Sequence, residues 1–104
     1  ISIPDSVTRI GDCAFSGCSS LTNIIIPNSV SEIGDYSFKK CLSLTNIIIS
    51  DNVTKIGNYA FSYCKSLTNI TILNDITDIG EGVFFGMYIN YKYYIYKFFN
   101  RRFI

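Results

Sequence analysis

Apolar residues in this chain recur in fixed columns rather than at one uniform helical or strand spacing. Reading from Leu21, they fall at Ile24, Ile26, Val30, Ile33, Phe38 and Cys41, and the series restarts at Leu44. The stretch SLTNIII at Ser20–Ile26 returns unchanged at Ser43–Ile49 and as SLTNITI at Ser66–Ile72, each time 23 residues on. With Ile3, Ile26, Ile49 and Ile72 in register, Val7, Val30, Val53 and Ile76 share a column. So do Ile10, Ile33, Ile56 and Ile79, then Gly11, Gly34, Gly57 and Gly80, then Phe15, Phe38, Phe61 and Phe84. Cys18, Cys41 and Cys64 align, with Met87 in the next slot. Self-similarity at a fixed period of this size marks a stacked-repeat architecture.

Each unit predicts the same local elements. From Leu21 to Ile26 the side chains of an extended strand alternate between faces, so Ile24 and Ile26 point inward while Asn23 and Ile25 point outward. Pro27, Asn28 and Ser29 read as a turn. Val30 and Ile33 return to the core, and Gly34 is expected to adopt a backbone conformation that other residues resist. Asp35, with Asp12 and Asn58 in the sister units, is expected to N-cap a short helical turn in which Ala14 and Cys18 share a face. Phe15, Phe38 and Phe61 should fill the widest part of the interior. One unit cannot bury these residues alone, whereas stacked units bury them against each other.

The pattern I-P-x-x-V-x-x-I-G-x-x-A-F-x-x-C-x-x-L-x-x-I resembles the BspA-like leucine-rich repeats, from Ile1 to about Met87. The resemblance implies an α/β repeat solenoid, a right-handed superhelix with a parallel sheet on one face and short turns or helical segments on the other. It also implies adhesion and binding to host molecules by a surface or secreted protein. The expected organisation is a solenoid over 1–87, about four repeats with the first met mid-unit, and a cap or tail over 88–104. Because Ile1, Ser2 and Ile3 match Ile24, Ile25 and Ile26, the chain reads as a piece of a longer array.

Composition narrows the function classes. Of 104 residues 48% are hydrophobic and 16% charged, which excludes a disordered chain, and a net charge of +1 gives no global field for nucleic acid. No run of 18 apolar residues exists to form a membrane-spanning helix. There is no histidine, no G-x-S-x-G, no P-loop and no metal-ligand spacing. These lacks lead to the expectation of a non-enzymatic module that needs no metal and no cofactor.

Several columns invite chemistry and mostly read as structure. Cys18, Cys41 and Cys64 could bind metal or cross-link, but Met87 in the same slot points to a buried, reduced column. Cys13 aligns with Tyr36 and Tyr59, so it is expected to face outward as a lone thiol. Arg9, Glu32, Lys55 and Asp78 alternate in sign and should pair between neighbouring units, while Thr8, Ser31, Thr54 and Thr77 add a hydroxyl column. Two sequons, at Asn52 and Asn69, matter only in a secreted eukaryotic protein.

The outward strand residues are the candidate partner-binding face: Asn23, Asn46 and Asn69 in one row, Ile25, Ile48 and Thr71 in the next, with Thr22, Thr45 and Thr68 beside them. An apolar row with polar edges suits a protein, a host-surface molecule or a second solenoid. The alternative is that the Asn row bonds along the sheet and the Ile row serves strand propensity. The stretch 88–104 holds eight aromatics plus Lys92, Lys97, Arg101 and Arg102. A solenoid must cover its terminal core, so a cap ranks first, membrane-surface contact second and nucleic acid last. The expected function is therefore binding or adhesion through the strand face. A structural spacer, or a targeting region for a catalytic domain elsewhere in a longer chain, are the alternatives.

Overall fold

The computed structural model describes residues 2–72 and 76–87. Seven strands follow in chain order: β1 (Arg9–Ile10), β2 (Asn23–Ile25), β3 (Glu32–Ile33), β4 (Asn46–Ile49), β5 (Lys55–Ile56), β6 (Asn69–Ile72) and β7 (Asp78–Ile79). They form two parallel sheets, β2-β4-β6 and β1-β3-β5-β7. The first is the expected strand face. The second, built on the Arg9 and Ile10 columns, was not anticipated, because two residues per unit are too few for alternation to show. Register keeps every column intact: Asn23 pairs with Asn46 and Asn46 with Asn69, while Arg9 pairs with Glu32, Glu32 with Lys55 and Lys55 with Asp78.

The core lies between the sheets and the turn segment. Ile24, Ile26, Val30, Ile33, Phe38 and Leu44 are buried, and their equivalents Ile47, Ile49, Val53, Ile56, Phe61 and Leu67 lie directly over them. The phenyl rings form a ladder, Phe15 on Phe38 at 5.2 Å, Phe38 on Phe61 at 5.3 Å and Phe61 on Phe84 at 6.3 Å between centroids. Burying each large side chain contributes about 1.5–3 kcal/mol, and only a neighbouring coil makes that burial complete.

The expected helical turn is absent among the described residues. In its place, alternate N–H groups of the turn segment bond to the next coil. Cys13, Phe15 and Gly17 donate to the carbonyls of Asp35, Ser37 and Lys39, while Ala14, Ser16 and Cys18 close turns onto Gly11, Cys13 and Phe15. Left-handed residues make this alternation. Cys13, Tyr36 and Tyr59 have φ of 60, 57 and 54°, and Lys40 and Tyr63 both have 58°. Gly82 occupies the first of these two columns, and Gly17 and Gly86 the second. A non-glycine residue pays roughly 1–2 kcal/mol to stand there.

Two further expectations are corrected. The Asp12 and Asp35 carboxylates do not cap their own turns; each accepts the backbone N–H one coil further on, Asp35 N–H to Asp12 at 2.9 Å and Asn58 N–H to Asp35 at 2.8 Å. Asn58 accepts from Glu81 N–H in the same way at 2.9 Å. Gly34 and Gly57 are not left-handed. They are glycines because the coils touch there: a Cβ on Gly57 would lie 2.5 Å from both Asp35 N and Asp35 Oδ1.

Candidate functional site

Alternation along β2, β4 and β6 sends one side chain in and the next out, and parallel register lines the outward ones up. All of the expected face residues are exposed: Asn23, Asn46 and Asn69 in one row, Ile25, Ile48 and Thr71 in the next. Ile25 is 71% and Ile48 44% exposed, unusual values for isoleucine on a strand. Beside the rows, the Thr45 hydroxyl donates to the Thr22 carbonyl at 3.1 Å and the Thr68 hydroxyl to the Thr45 carbonyl at 3.3 Å. The side-chain bonds that tie these strands together are thus threonine bonds. The Asn and Ile rows are left facing outward.

The second sheet carries the charge column. Arg9 Nε donates to Glu32 Oε2 at 2.8 Å, and Lys55 Nζ lies 3.8 Å from the same oxygen. Arg9 Nη2 also reaches Asp12 Oδ1 at 3.1 Å. The bond to Glu32 raises the Arg9 pKa, and the bond from Asp35 N–H holds the Asp12 carboxyl below its usual range, with Arg9 adding to the effect. These groups are solvated, and the pairs set register between coils rather than build a reactive centre.

Cys41 and Cys64 are buried and reduced, and each thiol donates to a phenylalanine carbonyl of the preceding coil, Phe15 at 3.1 Å and Phe38 at 3.0 Å. Burial pushes the Cys41 thiol up to about 11 and the Cys64 thiol up to about 12, so neither is a nucleophile at neutral pH. Met87 is buried in the same column. Cys18 departs from the expectation: it is exposed. Cys13 is exposed, as its column suggested. Among the described residues no group of three or more His, Cys, Asp or Glu side chains could hold a metal ion. The aromatic and basic stretch 88–104, read as a cap, lies outside the described residues.

One feature of the surface escaped the sequence reading. Tyr36, Tyr59, Tyr63 and Phe85 cluster on the turn edge, with Lys39 over the Tyr36 ring at 5.3 Å. Part of its signal was present in the alignment, since tyrosine shares both left-handed columns with glycine, as Cys13, Tyr36, Tyr59 and Gly82 and as Gly17, Lys40, Tyr63 and Gly86.

A family model described as BspA type leucine rich repeat region (6 copies) matches residues 1–100. No curated protein and no solved structure matches the chain.

Proposed function

Because the chain belongs to the BspA-type leucine-rich repeat family, whose repeats build protein-interaction modules of generally surface-associated proteins, we propose that it is a non-enzymatic binding module working through the β2-β4-β6 face. The observation that carries this reading is the exposed isoleucine row. Ile25 and Ile48 cost hydration free energy in the free protein and add nothing to the core, whereas the threonine hydroxyls beside them bridge the coils. An extended, pre-formed surface of this kind orders little on binding, which suits a folded protein partner at a cell surface.

The test is the double variant Asn46→Lys with Ile48→Lys, compared with the unaltered chain for adhesion to host cells and to immobilised host-surface proteins. Both positions are exposed, so the circular dichroism spectrum and unfolding midpoint should hold. Loss of adhesion with the fold intact is the expected result. Adhesion that survives both lysines with the fold intact sinks the strand-face reading, and no adhesion by the unaltered chain would favour the spacer role.

A further inference from the structure

All eight acidic residues of the sequence fall in one arc of the repeat, at 5–12, 28–35, 51–58 and 74–81. The remaining arc, from Cys13 to Ile26 and its equivalents, contains none, and it carries Lys39, Lys40 and Lys65. Along the turn edge of this acid-free arc runs a groove of about 260 Å³ lined by Tyr36, Lys39, Tyr59, Ser62, Tyr63 and Phe85. Tyr36 stacks on Tyr59 at 5.6 Å and 7°, and Phe85 stands edge-on to Tyr59 (6.2 Å, 81°) and to Tyr63 (5.5 Å, 88°). Phe85 is 55% exposed.

The tyrosines hold these places against backbone strain. Tyr36, Tyr59 and Tyr63 are left-handed in columns where Gly82, Gly17 and Gly86 relieve the same strain. Gly82 and Gly86 also leave room for the rings above them, since a Cβ on either would lie within 2.5 Å of the Tyr59 or Tyr63 ring. Cys13 and Lys40 stand left-handed in the same two columns, so the conformation belongs to every coil, and the tyrosines add to it a cluster of exposed and half-buried rings. The N–H groups of Tyr36, Phe38, Lys40, Tyr59, Phe61 and Tyr63 all donate to the next coil, so the backbone of these two coils offers a ligand no donor there. A peptide could not add itself as a strand along 36–40 or 59–63. What remains is a set of ring surfaces and phenolic hydroxyls with the Lys39 ammonium at the rim. That set matches sugar rings, which present apolar C–H faces and polar rims, bearing a carboxylate or sulfate for Lys39.

We propose that the Tyr36–Tyr59–Tyr63–Phe85 groove, with Lys39 at its rim, is a binding site for an acidic oligosaccharide. It is separate from the strand face and does not depend on it.

The experiment titrates a heparin-derived octasaccharide into the full chain by calorimetry at about 150 mM salt, where charges beyond about 8 Å are screened. The comparison is Tyr36→Gly with Tyr59→Gly, which puts in both places the residue that already stands at Gly82 and so keeps the backbone conformation. A second variant, Phe85→Ser, adopts the residue found at Ser62 in the same column. The basic stretch 88–104 is common to all three proteins, so only the difference in affinity reads the groove. We expect each variant to weaken binding about tenfold, the loss of one or two ring contacts, with the unfolding midpoint of the glycine variant unchanged or higher. Neutral maltooctaose should bind far more weakly. No binding to the unaltered chain, or equal binding to the variants, overturns the site. Equal binding of maltooctaose overturns its acidic specificity, and equal binding of a glutamate octapeptide overturns its assignment to a saccharide.

Discussion

Replacing Ser37 with alanine should stabilise the solenoid. Ser37 is fully buried, and its hydroxyl finds no hydrogen-bond partner. The sister positions are Ala14, Ala60 and Val83, so an apolar side chain already serves this column. A buried hydroxyl left unpaired costs about 1–3 kcal/mol. Removing one oxygen opens a gap of roughly 10 Å³, worth about 0.2–0.3 kcal/mol of lost packing. The desolvation penalty therefore wins, and the net gain should be about 1–2 kcal/mol. Equilibrium unfolding in urea measures it directly, as a higher midpoint at unchanged slope. Ser62 supplies the opposite case. It is equally buried, but its hydroxyl donates to the Tyr59 carbonyl at 3.0 Å, so Ser62→Ala should lower stability by about 0.5–1.5 kcal/mol. An unchanged or lower midpoint for Ser37→Ala would refute the reasoning, because it would mean that the hydroxyl is satisfied.

Other predictions follow the same contacts. Gly57→Ala should destabilise by about 1–3 kcal/mol or more in the same urea assay, since its Cβ would meet Asp35 N at 2.5 Å. Gly11→Ala, where the nearest atom is the movable Arg9 guanidinium at 3.8 Å, should be nearly neutral. The Asp12 carboxyl lies below its ordinary value of 3.8, so the stability it supplies is complete above that pH and is lost as the pH falls through the lowered value. Asp12→Asn keeps the acceptor, as Asn58 does, and should flatten that acid limb in midpoints measured against pH. With a thiol-reactive dye, Cys13 and Cys18 should label rapidly in the native protein, and Cys41 and Cys64 only after unfolding. Rapid labelling of all four would show that the coils open on the timescale of the reaction.

What could be read in advance depended on whether a residue's role repeats. Ile24, Ile47 and Ile70 declare a core because each coil needs the same wedge, and Asn23 and Ile25 declare the opposite face because a strand alternates. The asparagine and isoleucine rows were therefore legible as a candidate face before any coordinates. The tyrosine groove was not, because it draws on two columns and a neighbouring coil: Phe85 meets Tyr59 and Tyr63 only once the coils are stacked.

The sequence by itself determined the period, the stacking register and the family, since those follow from periodic burial and survive any detail of the backbone. Tertiary structure alone decided how each turn closes. Local propensity suggested a capped helical turn at Asp12 and Asp35, with Gly34 as the conformational hinge. Helix bonds would have kept the N–H groups of that turn within one coil. Stacking instead offered the carbonyls of the next coil, and left-handed residues at Cys13, Tyr36 and Tyr59 turn the N–H groups toward them. The aspartates were drawn across the same gap, and the glycines became the points where two coils are closest.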